Sequence, residues 1–289
     1  MKKPESGKIK AFQRKVWTYY KKNGRHTLPW RPYSRGLRTA KKNLDPYRIL
    51  VSEMMLQQTQ VDRVIPKYKA FLKKFPTVRS LARAPLAEVL SAWNGLGYNR
   101  RALFLKRAAE RLVSVYDGQV PKDVSMLETL PGVGPYTARA IETFSYNAPY
   151  IFVETNIRSV FISEFFSKAK KVSDKRLLPL IEASLDMKRP RDWYYALMDY
   201  GVFVKKTKSN PGRISARYAK QSKFKGSLRE MRGAILRQCL AGVQLRQNDI
   251  LGGSATKDGR ALAKSGFESL VREGFLDIDS KGYVKIKKG

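Results

Sequence analysis

The sequence predicts a mainly α-helical protein with a small C-terminal α+β unit, and two observations predict this fold class. Apolar residues recur at helical spacing from the N-terminus to about residue 205, and the connections between the helical segments are short. After residue 226, three helical patterns precede two short apolar runs, 275–278 and 283–286, which flank the turn Asp279-Ser280-Lys281-Gly282. Three helices followed by a β-hairpin are typical of a winged-helix unit.

The helical segments can be placed in chain order from their apolar spacing. The Asp45-Pro46 pair marks one start, since proline is tolerated in the first turn of a helix. Tyr150–Val153 is a short apolar run that fits either a strand or an extended loop. The predicted helices cover residues 9–22, 45–60, 61–74, 78–92, 99–115, 122–129, 136–145, 156–165, 174–187, 191–205, 227–241, 245–251 and 258–273.

A change in composition separates two predicted domains. Residues 206–226 are polar and basic and contain Asn210-Pro211-Gly212, which indicates a connecting or DNA-facing loop. We therefore predict an all-helical domain over residues 1–225 and a winged-helix-like domain over residues 226–289.

The charge balance points to a polyanionic partner. The chain of 289 residues has 58 Lys and Arg against 24 Asp and Glu, a net charge of +34 spread over its whole length. Such an excess favours DNA or RNA, whereas high solubility or an anionic membrane surface would be the alternatives. The sequence has no Lys-rich amphipathic helix with an aromatic face and no apolar run of 18 residues, so membrane binding is the weaker interpretation.

The Cys and His content limits the chemistry. Cys239 and His26 are the single cysteine and the single histidine, which excludes structural disulfides, zinc ribbons and a four-cysteine iron–sulfur site. Cys239 falls on an apolar helical face and is expected in the core. Met1–Lys10 is polar and basic and lacks the apolar segment of a signal peptide, so we expect a cytoplasmic protein.

The stretch Leu130–Thr137 reads Leu-Pro-Gly-Val-Gly-Pro-Tyr-Thr and joins two helical segments. Two glycines one residue apart can expose backbone N–H groups at a helix N-terminus, which is a site for one phosphate oxygen. On a basic chain the phosphate would be that of a nucleic acid. The alternative is a tight connection between two helices without a ligand.

Two carboxylates are candidates for catalysis. Glu53 lies among apolar residues, so burial should raise its pKa and suit it to act as a general acid. The alternative is a surface glutamate on an amphipathic helix. Glu154 precedes a predicted helix near Asn156, where it is either an N-cap or a carboxylate that the helix dipole keeps ionised. One neutral acid and one charged carboxylate are the pair that breaks a glycosidic bond.

Several long motifs identify a family resemblance. The runs Asp45-Pro46-Tyr47 through Val61, Phe75-Pro76-Thr77 and Trp93–Tyr98, together with Leu28-Pro29-Trp30-Arg31 and Leu130–Thr137, closely resemble MutY-type adenine DNA glycosylases. Their order matches the helix-hairpin-helix superfamily that includes endonuclease III, over about residues 10–205. The resemblance implies a two-lobed helix-hairpin-helix glycosylase fold, with a six-helix lobe over residues 45–145 and a second lobe formed by the N-terminus and residues 146–225.

The resemblance also implies roles for single residues. Glu53 resembles the general acid that protonates adenine, and Glu154 resembles the second carboxylate, with Asn156 beside it. Tyr136 stands where endonuclease III has its Schiff-base lysine, and since a phenol cannot form an imine, the enzyme should be monofunctional. The implied DNA and base contacts are Trp30, Arg31, Leu56, Gln57, Gln58, Thr59, Tyr98, Gly132, Gly134 and Thr137, with Leu56 and Gln58 entering the base stack, and the carbonyls of Leu130 and Val133 are a candidate cation position.

Three positions depart from the family pattern. Glu154 replaces an aspartate and is longer by one carbon–carbon bond, about 1.5 Å. Lys205–Pro211 contains no cysteine where the family has its iron–sulfur ligands, so no cofactor is expected. The C-terminal unit is shorter than the Nudix-like domain with which the family reads 8-oxoguanine.

The sequence therefore predicts a base-excision-repair DNA glycosylase that removes adenine opposite guanine or 8-oxoguanine from double-stranded DNA. We expect it to be a monomer, associated with the nucleoid of a prokaryotic cytoplasm. The alternatives are a thymine or uracil glycosylase acting on G·T or G·U mismatches, a non-catalytic DNA-binding protein, and an RNA-binding module, for which the sequence shows no recognition motif.

Overall fold

The computed structural model describes residues 6–31, 43–252 and 256–288, and most of these residues are helical. The helices are α1 (Ser6–Asn23), α2 (Pro46–Leu56), α3 (Val61–Lys74), α4 (Val78–Arg83), α5 (Leu86–Trp93), α6 (Arg100–Tyr116), α7 (Val124–Glu128), α8 (Pro135–Tyr146), α9 (Thr155–Phe165), α10 (Asp174–Ser184), α11 (Pro190–Thr207), α12 (Leu228–Leu240), α13 (Gln247–Gly252) and α14 (Lys257–Glu273). A 3₁₀ turn covers Pro211–Ile214, and the strands are β1 (Leu245–Arg246), β2 (Leu276–Ile278) and β3 (Tyr283–Ile286).

The predicted fold class is confirmed, and three local predictions were wrong. The helix expected over residues 78–92 is two helices, because Pro85 holds Ala84 in an extended conformation with ψ of 138°. The helix expected over residues 45–60 ends at Leu56. The segment 245–251, expected as one helix, begins with strand β1.

Contacts group the chain into two compact units, and the first consists of Met1–Glu53, Pro121–Thr129 and Val133–Lys220. Its core is aromatic: the ring centroid of Phe12 lies 5.2 Å from that of Phe161 and 6.0 Å from that of Trp193. Phe144 stacks on Tyr195 at 4.7 Å. Because α11 packs against α1 and α9, these rings fix the helices that hold the polar residues described below.

The second unit consists of Met54–Val120, Leu130–Gly132 and Gln221–Gly289. Helix α6 packs against α4 and α5, while α12 packs against α14. The antiparallel sheet has the order β1-β3-β2, with Leu276 opposite Ile286. Glu273 at the end of α14 accepts hydrogen bonds from Arg232 and Arg100, and these cations lower the pKa of its carboxyl to about 2. The predicted domain boundary at residue 226 is not tested by this grouping and stays a prediction.

Two expectations from composition can be compared with the structure. Cys239 is half-buried on α12, so its placement in the core was wrong. Within residues 6–31, 43–252 and 256–288, every helix is too short or too polar to cross a membrane.

Candidate active site

The site is built around Glu53, which α2 carries into the interior of the first unit. The helix starts where the Asp45 carboxylate accepts a hydrogen bond from the backbone N–H of Tyr47 at 2.9 Å. Residues 49–55 are all buried, and only 7% of the surface of Glu53 is exposed. Burial raises the pKa of Glu53 to about 7, because the charged carboxylate loses its hydration. The predicted buried acid is thus present, and the alternative of a surface glutamate does not apply.

Tyr136 lies in the first turn of α8 and contacts Glu53 directly. Its hydroxyl donates a hydrogen bond to Glu53 Oε2 at 2.9 Å. The ring packs edge-on against Phe152, with centroids 5.5 Å apart. Burial and the charge of Glu53 raise the pKa of Tyr136 well above its ordinary value, so the phenol keeps its proton and remains a donor. The hydrogen bond lowers the pKa of Glu53, partly opposing the effect of burial.

Glu154 is the N-cap residue of α9. Its carboxylate accepts hydrogen bonds from the backbone N–H groups of Asn156 and Ile157, at 2.6 and 3.4 Å, and from Asn156 Nδ2 at 3.1 Å. Burial nevertheless raises the pKa of Glu154 above its ordinary value, while these donors and the charge of Lys205 lower it. The helix N-terminus therefore offsets the cost of burial but does not outweigh it, which the sequence had not indicated.

Asn156 connects Glu154 to a cation that the sequence analysis did not single out. Lys205 Nζ donates to Asn156 Oδ1 at 3.1 Å. The close approach of α11 depends on Gly201, since a Cβ at that position would lie 2.6 Å from the Asn156 carbonyl oxygen. A small residue one turn before Lys205 was the only signal for this contact in the sequence.

These residues form a pair of carboxyl groups in unlike environments. Glu53 has a phenol donor and apolar surroundings, whereas Glu154 has three N–H donors and a nearby ammonium group. The charge of Glu154 raises the pKa of Glu53, so the two groups are within electrostatic reach of each other. Such a pair can donate a proton to a leaving group and stabilise a cation next to it.

Trp30 and Arg31 are both buried in the first unit, at 7% and 8% exposure. The Arg31 guanidinium makes a two-fold hydrogen bond with the Asp199 carboxylate, at 2.8 and 2.9 Å. It also lies over the Tyr195 ring at 4.4 Å. The structure thus shows a structural ion pair, and the role predicted for Trp30 and Arg31 in base binding stays a prediction.

The glycine hairpin combines buried and open positions. In the first unit, Val133 and Thr137 are buried, whereas Gly134 is exposed, caps α8 without a side-chain hydrogen bond and has open space beside it. In the second unit, Leu130 is buried, and Gly132 has φ of +79° and would place a Cβ 2.8 Å from Met54 Cε and Phe104 Cβ. The fold requires glycine at position 132, whereas the space beside Gly134 is open. The DNA contacts and the cation position at the Leu130 and Val133 carbonyls stay predictions.

The second unit presents the residues after α2. Leu56 and Gln57 are half-buried, Thr59 donates to the Leu96 carbonyl at 3.3 Å, and Gln58 is exposed with φ of +55°. Tyr98 also has a positive φ, +49°. Positive φ is uncommon in residues with a Cβ and, outside helix C-caps such as Asp117 and Asn147, requires surrounding contacts that hold the backbone.

Two arginines that the sequence analysis did not single out contact these residues. Arg229 Nη1 donates to the Tyr98 hydroxyl at 2.8 Å. Arg101 is buried and donates to the carbonyls of Gln57 and Gly97, which directly precede Gln58 and Tyr98. Nothing in their sequence context distinguishes them from the other basic residues of the chain.

Comparison with known proteins identifies the family. Residues 51–181 match the HhH-GPD superfamily base excision DNA repair protein model. The adenine DNA glycosylase of Mycolicibacterium smegmatis is 35% identical over 282 residues, covering 90% of this chain and 91% of the relative. The human adenine DNA glycosylase is 35% identical over 204 residues, covering 68% of this chain and 36% of the relative. The chain spans about half of the Buchnera aphidicola (strain Bp) relative, 54%, at 36% identity.

Solved structures show the same fold. A thermostable thymine-DNA glycosylase aligns with a TM-score of 0.59 at 26% identity, covering 71% of this chain and 91% of that one. A non-covalent endonuclease III–DNA complex aligns with a TM-score of 0.55 at 18% identity, covering 68% and 85%. The predicted resemblance is confirmed: this chain belongs to the HhH-GPD superfamily of base excision DNA repair proteins.

Proposed function

We propose that this protein is an adenine DNA glycosylase of base excision repair. It removes adenine opposite guanine or 8-oxoguanine in double-stranded DNA by hydrolysing the N-glycosidic bond. The observation that carries the proposal is Glu53: a buried carboxyl group with a pKa of about 7, hydrogen-bonded by Tyr136. The adenine DNA glycosylases among its relatives, one of them matching over 91% of its length, support the same activity.

Glu53 acts as the general acid. Adenine is a poor leaving group as an anion, and a proton on a ring nitrogen lets it depart neutral. A carboxyl group with a pKa of about 7 holds that proton in about half of the molecules at neutral pH, and can deliver it as the bond to C1′ breaks. The Tyr136 hydroxyl donates a hydrogen bond to Oε2 of Glu53 and so orients the carboxyl group before the substrate enters.

Glu154 stabilises the sugar. Loss of adenine leaves positive charge on C1′ and the ring oxygen, and a carboxylate nearby lowers the energy of that cation. The donors from Asn156 and Ile157 fix the orientation of the carboxylate. Water then adds its oxygen to C1′ and gives up a proton, which replaces the one that Glu53 delivered. The products are an abasic site and neutral adenine.

The enzyme is monofunctional, because Tyr136 occupies the position at which a lyase of this superfamily has its lysine. Imine formation needs a primary amine, and a phenol with a strongly raised pKa is neither an amine nor a ready nucleophile. We therefore expect no imine intermediate with the sugar, whereas Glu154 could act on the sugar cation by its charge or by a transient bond.

The iron–sulfur cluster of the family does not fit this chain. Four thiolates are needed, and the sequence has one cysteine, half-buried on α12. After α11 the backbone is instead tied to the start of α10: the Val172 N–H donates to the Ile214 carbonyl at 2.9 Å, and Asp174 pairs with Arg217 at 3.2 Å and Arg158 at 2.7 Å. We propose that the protein works without a cofactor.

The partner is double-stranded DNA, bound by a chain of net charge +34. We propose that it acts as a monomer on mismatched DNA in the prokaryotic cytoplasm, associated with the nucleoid. Size-exclusion chromatography with light scattering would give one chain per particle.

The test uses labelled duplexes containing A·8-oxoG, A·G, T·G or U·G, each incubated with enzyme and then treated with alkali. We expect strand scission at adenine in the first two duplexes. Scission confined to T·G and U·G would overturn the adenine assignment in favour of a thymine or uracil glycosylase. No abasic site on any duplex would leave only a DNA-binding protein.

Matched variants identify the acid. Glu53→Gln should abolish the reaction, whereas Glu142→Gln should retain it, although Glu142 on α8 is another buried carboxyl group with a pKa of about 7. Equal activity in both variants would remove Glu53 from the mechanism. Trapping with borohydride should yield no covalent adduct of the protein with DNA.

A further inference from the structure

One guanidinium in the second unit holds two loops at once. Arg101, in the first turn of α6, donates through Nη1 to the carbonyls of Met54, Met55 and Gln57, at 2.9, 2.8 and 2.5 Å. Through Nη2 it donates to Thr59 Oγ1 at 2.9 Å and to the carbonyls of Leu96 and Gly97, at 3.3 and 3.0 Å. We call these acceptors and Arg101 the Arg101 network.

The Arg101 network contains a buried cation whose acceptors include no carboxylate. Arg101 is 7% exposed, and all six of its acceptors are neutral oxygen atoms. Burial without a carboxylate lowers the pKa of Arg101 to about 10. A buried cation normally has an anionic partner. The cost of this arrangement is offset by the last carbonyls of α2, which carry partial negative charge and would otherwise have no donor.

The two loops share a second property. The first, Gln57–Gln60, contains exposed Gln58 at φ of +55°. The second, Gly95–Asn99, contains Tyr98 at φ of +49°. Each residue follows directly after a carbonyl that Arg101 holds, Gln57 O and Gly97 O. A strained conformation persists only where surrounding contacts fix it, and here one side chain fixes both.

We infer that Arg101 is a positioning residue: it holds the backbone at Gln58, which enters the base stack, and at Tyr98, which contacts the base, and so sets the probability of base flipping. The inference rests on the proposed function, because that function requires the target adenine to leave the duplex. Arg101 is 7% exposed and both of its Nη atoms donate to protein oxygens, so it acts through the backbone of the two loops. Its donors fix the direction of the backbone from which Gln58 and Tyr98 project.

The test compares substrates that need different amounts of help to flip. One duplex has adenine opposite 8-oxoguanine, and the other has the same adenine opposite a stable abasic-site analogue, where unstacking requires less energy. Arg101→Lys keeps the charge but offers one nitrogen in place of two. We expect its single-turnover rate to fall about 10- to 100-fold on the paired adenine. On the unpaired adenine, the factor by which the rate falls should be several times smaller.

Two further variants and the melting temperature complete the test. A control, Arg111→Ala, removes a charge from the exposed side of the same helix and should leave both rates as in the unchanged protein. Thr59→Val removes one acceptor of Arg101 together with the hydrogen bond from Thr59 to the Leu96 carbonyl. It should also reduce the paired-to-unpaired rate ratio, so it decides the question if Arg101→Lys does not fold. Equal loss on both duplexes, or a lower melting temperature with unchanged rates, would reduce Arg101 to a structural residue.

Failure of this inference can be told from failure of the proposed function. 2-Aminopurine at the adenine position reports flipping by its fluorescence, whether or not the bond is cleaved. If the unchanged protein flips the base without excising it, the glycosylase assignment fails and Arg101 is still tested. If excision occurs and Arg101→Lys flips the base normally, only the positioning role is overturned.

Discussion

The substitution Glu53→Gln should inactivate the enzyme and stabilise its fold above neutral pH. The pKa of Glu53 is raised from 4.5 to about 7 in the folded protein, so folding is favoured by the protonated form. This stability is fully present below the ordinary pKa and is lost as pH rises through about 7. Glutamine is always neutral and nearly isosteric, and its side-chain oxygen can still accept the hydrogen bond from Tyr136.

The size of the effect follows from the pKa difference. A difference of about 2.5 units between 7 and 4.5 corresponds to about 3 kcal/mol, at 1.36 kcal/mol per unit. At about pH 8 the variant should therefore be more stable by about 3 kcal/mol, whereas at about pH 4 the two proteins should agree within about 0.5 kcal/mol. The excision rate of the unchanged enzyme should fall as pH rises above about 7, because Glu53 then loses the proton that it donates.

The assay is chemical denaturation followed by tryptophan fluorescence, across the range from acidic to alkaline pH. Glu142→Gln is the matched control, since the pKa of Glu142 is also about 7. It should stabilise the fold in the same pH range without loss of excision. A stability difference for Glu53→Gln that does not grow with pH would refute the assigned burial cost and, with it, the assignment of Glu53 as a neutral acid.

Three other predictions concern the same structure. Tyr136→Phe removes a donor that lowers the pKa of Glu53, so the alkaline limb of the single-turnover rate should move to higher pH. Glu154→Gln removes a charge that raises this pKa, so the same limb should move to lower pH. Shifts of the two variants in the same direction would contradict this account. Gly134→Ala should keep the melting temperature of the unchanged protein yet weaken DNA binding in a filter or anisotropy assay. Gly132→Ala should lower the melting temperature, because of the two glycines only Gly132 has φ of +79° and crowded space. Unimpaired DNA binding by Gly134→Ala would show that the hairpin is not a phosphate anchor. DNA affinity should fall about 10³- to 10⁵-fold between about 50 and 200 mM salt if six to ten phosphates are contacted, and a flat salt profile would exclude electrostatic binding.

Local signals in the sequence predicted much of the fold. Helical spacing gave α3 with both ends as observed, and proline with aspartate gave the start of α2. The same signals erred where a local rule was overlooked: Pro85 divides the segment expected as one helix, and the two residues of β1 are too few to show an alternating pattern.

The sequence by itself also determined the candidate carboxylates. Glu154 stands before a helix, so capping could be expected from its neighbours along the chain. Glu53 stands among apolar residues on an amphipathic helix, where a surface position was the alternative, and the structure decided for burial. Tyr136 could be placed at the hairpin in the same way, but its hydrogen bond to Glu53 joins residues 83 positions apart. The family motifs added the activity.

Only the tertiary structure decided which basic residues have specific partners. Lys205 and Arg101 look alike in a chain with 58 Lys and Arg, yet Lys205 contacts Asn156 and Arg101 holds six neutral oxygens. The family motif singled out Arg31 as a base contact, and only the structure shows its pairing with Asp199. The tertiary structure also decided the direction of the Glu154 pKa shift: burial, which raises this pKa, outweighs the donors of the helix N-terminus, which lower it. The physical reason is that helical spacing is encoded in neighbouring residues, whereas desolvation and hydrogen bonding of a charge depend on groups that folding brings from distant parts of the chain.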